Sequence, residues 1–229
     1  MGGYAYLGAT CPHPAGGGRS TRMKNITVIK HPLVQHNLTR VRDQRTQPQE
    51  FRRLLGEIAS LMIYEATRSL RVKKVSVRTP LETATGSTLE REIVLVPVLR
   101  AGLGMLNPIL EIIPHARVGF IGLKREETTL RAHFYHKSLP KELGGCEVIL
   151  IDPMLATGGS AVAALDFLRE QGAKRIRLVS LVAAPEGIAR VRKNYPALPI
   201  FTAAIDRKLN RVGYILPGLG DAGDRLFGT

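Results

Sequence analysis

The chain of 229 residues has few cysteines and no long apolar run. Its two cysteines, Cys11 and Cys146, are too few for a disulfide framework, so we expect a protein of a reducing compartment. No stretch approaches the roughly 20 apolar residues of a membrane span, and the N-terminus lacks the basic start and apolar core of a secretory leader. We therefore expect a cytoplasmic protein with no membrane partner.

Acidic residues are also scarce, at 19 against 33 Lys and Arg, which gives a formal net charge of +14. Such an excess calls for an anionic partner, and nucleic acid is the first candidate. The charge is unevenly spread, because residues 1–53 hold nine basic and two acidic residues while the rest of the chain holds 24 and 17. The main body of the chain is therefore only mildly basic.

The composition is otherwise that of a globular protein, with 44% hydrophobic and 23% charged residues. Residues 1–24 differ, because they are rich in glycine and show no periodicity. Such a segment buries little surface and loses much backbone entropy on folding. We expect a disordered N-terminal extension over 1–24, with Met23 as an alternative first residue, and one folded domain over 25–229.

Hydrophobic periodicity predicts alternating strands and helices. From Gln47 onward apolar residues fall on one helical face, and Pro48 stands near the start, where its missing N–H is harmless. Apolar runs predict strands at 93–99, 117–123, 148–151, 176–182 and 200–205, with helical segments near 104–112, 160–171 and 185–195. Continuous apolar strands that alternate with helices are typical of a parallel sheet covered on both faces. The predicted fold class is α/β, with a doubly wound, mostly parallel sheet.

Two segments interrupt this alternation. Residues 124–145 form a connection of about twenty residues without clear periodicity, which is more often a functional lid or hairpin than filler. We expect a flexible lid loop there. The stretch from Leu209 onward is irregular as well and contains five glycines.

The strongest motif leads from the strand at 148–151 through Asp152 into the small-residue loop Thr157-Gly158-Gly159-Ser160, which opens a helix. Ligands of open α/β sheets bind at this strand edge. Backbone N–H groups of the loop, two hydroxyls and the positive end of the helix dipole suit a phosphate. Asp152 would repel a phosphate and instead suits neutral hydroxyls such as those of a ribose. The motif therefore predicts a sugar phosphate site.

Two other interpretations of the loop are weaker. A Gly-Gly-Ser turn alone more often only caps a helix, but here it occurs together with an apolar strand and a terminal Asp. A P-loop is excluded because no Gly-Lys-Ser/Thr follows, so the lysine that would reach the outer phosphates is missing. We therefore do not expect a kinase or an ATPase.

With these motifs the chain resembles the type I phosphoribosyltransferases, and among them the uracil phosphoribosyltransferases. The usual signature has two adjacent acidic residues before the Ala-Thr-Gly-Gly loop, whereas Asp152 is followed by Pro153, the variant associated with the uracil enzymes. The resemblance spans roughly residues 25–229 and includes Lys30-His31-Pro32-Leu33-Val34, Tyr64-Glu65-Ala66-Thr67, residues 97–105, residues 182–187 and the tail from Gly213. It implies the type I phosphoribosyltransferase fold with a C-terminal base-binding hood.

The resemblance also implies a reaction and its residues. Uracil and 5-phospho-α-D-ribose 1-diphosphate (PRPP) would give UMP and diphosphate in pyrimidine salvage. The implied catalytic residues are Asp221, Arg100 and Arg125. The implied PRPP-binding residues are Arg100, Arg125, Asp152, Pro153, Met154, Leu155, Ala156, Thr157, Gly158, Gly159, Ser160 and Asp221, and the implied uracil-binding residues are Ile215, Gly220, Asp221 and Ala222.

The residues themselves fit parts of this assignment. Arg100 leads into a glycine turn, where a guanidinium suits bidentate binding of diphosphate oxygens. Uracil offers one N–H donor and two carbonyl acceptors, which backbone groups of a glycine-rich turn can read. The segment after Arg125 departs from the family pattern, with Glu126 where Asn is usual and Ala132-His133 in place of a Pro-containing stretch.

Mg²⁺ is the expected cofactor, because it suits phosphate oxygens and would sit mainly on the substrate, with no protein ligand assigned. The resemblance further implies a homo-oligomer and, in some members, activation by GTP.

Three alternatives remain open at this point. A phosphoribosyltransferase for another base would share the loop. An RNA-binding regulator on the same fold would account for the net charge, but such regulators resemble the two-acid form of the loop, and with 5% aromatic residues no RNA-stacking platform is visible, so we expect no nucleic-acid partner. The third is an inactive α/β oligomer.

Overall fold

The computed structural model describes residues 21–23, 25–125 and 132–229. Its helices are α1 (Pro32–Arg42), α2 (Pro48–Thr67), α3 (Leu103–Ile112), α4 (Gly159–Glu170), α5 (Pro185–Asn194) and α6 (Ala222–Phe227). Its strands are β1 (Thr21–Met23), β2 (Ile26–Val28), β3 (Val72–Arg78), β4 (Thr83–Leu89), β5 (Ile93–Leu99), β6 (Arg117–Val118), β7 (Phe120–Arg125), β8 (Ala132–Ser138), β9 (Glu147–Ile151), β10 (Met154–Leu155), β11 (Arg175–Ala183), β12 (Ile200–Ile205), β13 (Lys208–Leu209) and β14 (Ile215–Leu216).

The main sheet has the strand order β1-β2-β12-β11-β9-β5-β7-β8, with β10 beside β11 and β6 beside β5. Neighbouring strands from β2 to β7 in this order are parallel, and β1 and β8 are antiparallel to their neighbours at the two margins. The doubly wound, mostly parallel α/β fold expected from the sequence is confirmed. The five predicted strands are all present in this sheet.

Helices cover both faces of the sheet, as the apolar strands require. Side chains alternate along β9, so that Ile149 and Ile151 belong to the core beneath α1, α2, α3 and α6, whereas Val148 and Leu150 belong to the core beneath α4 and α5. A strand that is apolar on both faces is stable only when helices cover both faces of the sheet, because an uncovered face would expose apolar side chains to water. The polar residue that follows β9 must therefore emerge at the edge of the sheet.

Helix α2 is the predicted amphipathic helix, and it begins at Pro48 as expected. Phe51, Leu54, Ile58 and Met62 on its inner face are fully buried. No helix of the described residues is long and apolar enough to cross a membrane.

Three parts of the fold were not predicted from the sequence. Helix α1 begins after His31, whose Nδ1 accepts a hydrogen bond from Leu33 N at 3.3 Å. The strands β3 and β4 form a separate antiparallel hairpin whose residues are exposed or half-buried. The tail from Leu209, described above as irregular, contains the β13–β14 pair and α6.

The expected lid and the expected N-terminal extension fall partly outside the described residues. Within 124–145 the structure has the antiparallel β7–β8 hairpin, followed by a short 3-10 turn at Leu143–Gly145, while residues 126–131 are not described. Of residues 1–24, only 21–23 are described, and they form β1 against β2.

Candidate active site

The candidate site lies at the carboxyl edge of the parallel sheet. Asp152 follows β9 and Arg100 follows the neighbouring strand β5. The turn after Arg100 packs directly on the end of β9, since a Cβ added to Gly102 would lie 2.7 Å from Val98 O and 2.9 Å from Ile151 O. Only glycine fits between these two strands, and it brings Arg100 to the same edge as Asp152.

The loop from Asp152 to Ser160 has the geometry of an anion cradle. Its β10 segment pairs with β11, which fixes the loop against the sheet. Gly158 precedes α4 with a φ of +74°, a conformation that glycine adopts without steric cost. Val162 N donates to Gly158 O at 3.0 Å as α4 begins, and Gly159 N lies 3.4 Å from Thr157 Oγ1. The first N–H groups of a helix have no partner within the helix, so this end of α4 can bind an anion.

Helix α5 supports the loop from behind. A Cβ added to Gly158 would lie 2.7 Å from Gly187 O, and one added to Gly187 would collide with Ala156 O. Two glycines that face each other in this way allow the backbone of α5 to touch the backbone of the loop. The loop shape is therefore set by a contact between segments about thirty residues apart.

Arg190 is a site residue that the sequence analysis missed. A Cβ added to Gly159 would lie 3.3 Å from Arg190 Nη1 and 3.6 Å from Thr157 Oγ1, so the guanidinium stands beside the start of α4. A cation at this position adds to the positive end of the helix. The available signal was the spacing of Gly187 and Arg190, which are three residues apart and so share one face of α5.

The tail is fixed at this edge by a partly buried ion pair. Arg42 of α1 donates to both carboxylate oxygens of Asp206, at 2.7 and 2.8 Å, and to Gly218 O at 2.7 Å. Asp206 Oδ2 in turn accepts from Gly218 N at 2.9 Å. Asp206 is only 7% exposed, so the pair works in a medium where water competes weakly. Gly218 has a φ of +61°, and a Cβ there would collide with Ile215 O.

Two further arginines attach α6 to the helices beneath it. Arg225 donates to Leu219 O at 2.8 Å and to Asp43 O at 2.6 Å, and its guanidinium lies 4.6 Å from the centre of the Phe51 ring. Burial lowers the pKa of Arg225. Arg52 donates to Leu226 O at 2.7 Å. The base of the tail is thus held by charged donors on backbone carbonyls, which are among the stronger hydrogen bonds in proteins.

Asp221 caps α6, and Asp224 in the first turn of this helix lies close to Arg100. Asp221 Oδ1 accepts from Asp224 N at 2.9 Å, which orients the carboxylate. Arg100 Nη2 lies 3.5 Å from Asp224 Oδ1, and its guanidinium lies 5.8 Å from the centre of the Phe227 ring. The tertiary structure therefore brings Arg100 and the Asp221 turn together, although they are far apart in the chain.

The other expected site residues divide into two groups. The side chains of Leu155, Ile215 and Ala222 are buried in the core, so only their backbone groups can face a ligand. Pro153 is buried as well, whereas Asp221 and Gly220 are exposed and the remaining loop residues are largely half-buried. Arg125 ends β7, where it is paired with Ala132, and its side chain lies outside the described part of the structure.

The described residues contain no group of three or more His, Cys, Asp or Glu side chains that could hold a metal ion. The carboxylates at the site edge, Asp152 and Asp221, belong to different segments. A divalent cation at this edge would have to take most of its ligands from a bound phosphate or from water, which is the usual arrangement for Mg²⁺.

Comparison with known families agrees with this geometry. The family model described as uracil phosphoribosyltransferase matches residues 28–229. The chain belongs to the uracil phosphoribosyltransferase family.

Relatives within the uracil phosphoribosyltransferase family match nearly the whole chain. The uracil phosphoribosyltransferase of Dictyoglomus turgidum is 54% identical over 205 residues, which are 89% of this chain and 99% of the relative. The Campylobacter concisus protein of the same name is 51% identical over 207 residues, covering 90% and 100%. The structure of the AQ2163 protein from Aquifex aeolicus matches with a TM-score of 0.84 and 41% identity, covering 89% of this chain and 98% of that chain. The resemblance stated from the sequence motifs is thereby confirmed.

The contact between Gly158 and Gly187 yields a prediction with a matched control. Gly158→Ala places a methyl group in a left-handed conformation and against a backbone oxygen, so the loop must shift. Gly172→Ala has a similar φ of +86° but open space around it. We expect both variants to lose about 1 kcal/mol in urea unfolding from the backbone term, and only Gly158→Ala to lose a further 1 kcal/mol or more. Equal losses would contradict the proposed contact.

The Arg42–Asp206 pair yields a second prediction. Asp206→Asn keeps the shape of the side chain but leaves Arg42 without its counter-charge, so we expect a loss of about 3 kcal/mol in unfolding free energy. Hydrogen exchange should accelerate in peptides that cover 213–221, because the amide NH2 of Asn replaces one of the two oxygens that accept from Arg42 and Gly218.

Asp166→Asn is the control for Asp206→Asn, since Asp166 on α4 accepts a hydrogen bond from the Tyr195 hydroxyl and lies outside the tail network. Its tail peptides should exchange as in the parent protein. If tail exchange is unchanged in Asp206→Asn, the ion pair does not hold the tail.

Proposed function

We propose that the protein transfers the phosphoribosyl group of PRPP to N1 of uracil, giving UMP and diphosphate in pyrimidine salvage. The observation that carries this proposal is the position of the glycine-rich tail beside Arg100 at the same sheet edge as the Asp152–Ser160 loop. Family membership supports the same reaction. We propose residues 25–229 as the phosphoribosyltransferase domain.

The loop would bind the sugar phosphate in two halves. The 5′-phosphate would accept hydrogen bonds from the N–H groups at the start of α4 and from Thr157 and Ser160, with Arg190 as an additional cation. Asp152 would accept from ribose hydroxyls. The backbone between these two halves would also contact PRPP. It is formed by Pro153, Met154, Leu155 and Ala156.

The tail would bind the base. The amide and carbonyl groups of Gly218 are occupied by Asp206 and Arg42, so the recognition groups must come from the neighbouring backbone. We assign this role to Ile215, Gly220, Asp221 and Ala222. A backbone donor that faces O4 of uracil would face the amino group of cytosine unfavourably, which gives discrimination between the two bases.

Chemistry at the anomeric carbon then requires charge stabilisation. The C1′–O bond to diphosphate breaks, the C1′–N1 bond forms and the N1 proton leaves, through a state with oxocarbenium character. Arg100 and Arg125 would stabilise the departing diphosphate. Mg²⁺, when bound to the diphosphate, supplies further positive charge. Asp221, held in place by Asp224 N, would stabilise the cationic carbon or accept the N1 proton.

The β7–β8 hairpin is proposed as the base of a lid that keeps water from the donor. Its β8 strand is attached to α4, because the Phe134 ring lies 5.5 Å from the Phe167 ring of α4 and Lys137 Nζ lies 4.5 Å from the centre of the same Phe167 ring. The hairpin and the phosphate loop therefore share one supporting helix.

Activity with Asp221→Asn is the decisive measurement. We expect the parent protein with Mg²⁺ and PRPP to convert labelled uracil to UMP, and orotate, hypoxanthine and cytosine to compete weakly. Asp221→Asn should lower kcat on the order of 100-fold or more. Asp166→Asn, on the surface of α4, should retain the parent rate. An absence of UMP formation, or full activity of Asp221→Asn, would overturn the proposal, and a sequence-specific RNA shift would favour a regulator instead.

We also propose a homo-oligomer in which the β3–β4 hairpin packs on a second copy. Toward the tip, one face of the hairpin carries Val75, Val77 and Ala84, whereas the opposite face carries Ser76 and Thr85. At the base the first face carries Lys73 and the opposite face carries the Val72–Leu89 pair. Val77 is nevertheless 45% exposed, and Leu81 at the tip is 93% exposed. An isolated two-stranded hairpin is marginal in water, so an apolar face on a projecting hairpin needs a cover.

The two faces of the hairpin allow a matched test. Val77→Glu places a charge on the apolar face, and Ser76→Glu places the same charge on the polar face. We expect Val77→Glu to weaken self-association by about tenfold or more and Ser76→Glu to leave it unchanged, as measured by light scattering across a dilution series. A monomeric parent at all concentrations, or equal effects of the two changes, would contradict the proposal.

Two remaining elements of the proposal depend on the family alone. GTP is proposed as an activator because some members respond to it, and initial rates with and without GTP test this. The cytoplasm is proposed as the location because the reaction uses intracellular metabolites.

A further inference from the structure

A second basic site lies at the opposite edge of the main sheet. A cavity of about 570 Å³ opens at the amino ends of the central strands, where Arg91 precedes β5, Glu147 begins β9 and Arg175 begins β11. Glu147 is the register partner of Arg175, so these residues are direct neighbours. The cavity is separated from Asp152 by the length of β9, which is roughly 15 Å for five residues.

The cavity walls carry a large surplus of positive charge. Six cationic side chains line it: Arg71, Arg91, Arg169, Lys174, Arg175 and Arg177. Among the described lining residues, Glu147 is the one carboxylate. Glu147 is shared among three of them, with N–O distances of 3.1 Å to Arg177 and 3.9 Å to Arg91 and Arg175. Glu90, 2.6 Å from Arg91, offsets one more charge. The remaining cations repel each other in a concave space, where an anion would lower the free energy.

Several of these cations are held in place before any ligand binds. Arg177 is only 8% exposed and donates to Ala66 O, to Ser69 Oγ at 3.3 Å and to Glu147. Arg169 donates to Ala173 O at 3.1 Å and to Lys174 O at 3.0 Å, which fixes the turn that carries Lys174 and Arg175. Fixed donors lose little side-chain entropy on binding, so a preformed cluster of this kind binds an anion better than mobile surface lysines.

One wall of the cavity is apolar. It is formed by Tyr195, Pro196, Ala197 and Leu198, which follow α5. The Tyr195 hydroxyl is bonded to Asp166, and burial together with this bond raises the pKa of Tyr195 to about 12. The Tyr195 ring is one of the lining residues of the cavity and also packs on the core beneath α4 and α5.

We propose that this cavity binds a small anion with two or three linked phosphates, as a site separate from the substrate site. Guanidinium groups at the amino ends of β3, β5 and β11 and at the end of α4, with the ammonium of Lys174 on the α4–β11 turn, match the repeated oxygens of such an anion. Glu147 does not prevent this, because both of its oxygens are already engaged by arginines. A half-open cavity with a carboxylate among its cations fits a small ligand better than a nucleic-acid backbone, which needs a continuous basic groove.

The test uses inorganic triphosphate and two variants of equal charge change. Lys174→Gln/Arg175→Gln removes two cations from the cavity, and Arg192→Gln/Lys193→Gln removes two from the adjacent surface of α5 outside the lining. We expect calorimetric titration of the parent to show a saturable site that the first variant weakens by at least about tenfold and the second by less than about twofold. Arg71→Gln, on the other wall, should weaken the same site. Thermal unfolding of each variant shows that it is folded.

Hydrogen exchange separates this site from the phosphate loop. Triphosphate should protect peptides that cover 169–177 in the parent but not in Lys174→Gln/Arg175→Gln, while protection of 152–162 reports binding at the proposed substrate site. A parallel titration with a nucleoside triphosphate distinguishes a free polyphosphate from a nucleotide as the ligand. If the nucleotide binds more tightly than inorganic triphosphate, the Tyr195 wall contacts the base. Three results would overturn the proposal: no protection at 169–177, equal triphosphate binding by both double variants, or RNA binding at this edge without triphosphate binding.

Discussion

The burial of β9 on both faces is the constraint on which the rest of the structure depends. Because Val148 and Leu150 face one core and Ile149 and Ile151 the other, the strand has no solvent face and must remain between β11 and β5. The polar residues at its two ends are thereby forced to opposite edges of the sheet. Asp152 and the phosphate loop emerge at one edge, and Glu147 with its arginines emerges at the other.

Arginine explains much of the net charge in structural terms. Arg42, Arg52 and Arg225 each donate to backbone carbonyls of the tail or of the segments beneath it, and Arg177 does the same for the end of α2. A guanidinium can satisfy several acceptors at once while its stem packs on apolar surface. Part of the basic surplus that first suggested nucleic acid is therefore used to hold the tail and the end of α2 in place.

Glycines give the site its close backbone packing. Gly102, Gly158, Gly187 and Gly218 each stand where a Cβ would meet a backbone atom. They allow strand ends, loop and helix to approach more closely than side chains permit, and they place backbone N–H groups where a ligand can reach them. The site thus consists largely of backbone held in shape, with a few charged side chains at its margin.

The sequence by itself determined the alternation of strands and helices, the doubly wound class and the motif from Asp152 to Ser160, because these depend on short-range patterns of apolar and small residues. Helix α1 was not predicted, although its buried residues Val34, Leu38 and Val41 stand at helical spacing. The β3–β4 hairpin was not predicted because a hairpin exposed on both sides lacks a buried face. The tertiary structure alone decided that Arg190 stands beside Gly159, that Arg100 meets the Asp221 turn and that Arg42 pairs with Asp206 across 164 residues of sequence. Contacts of that range leave no local periodicity, since they arise only when the packed sheet brings distant strand ends to a common edge.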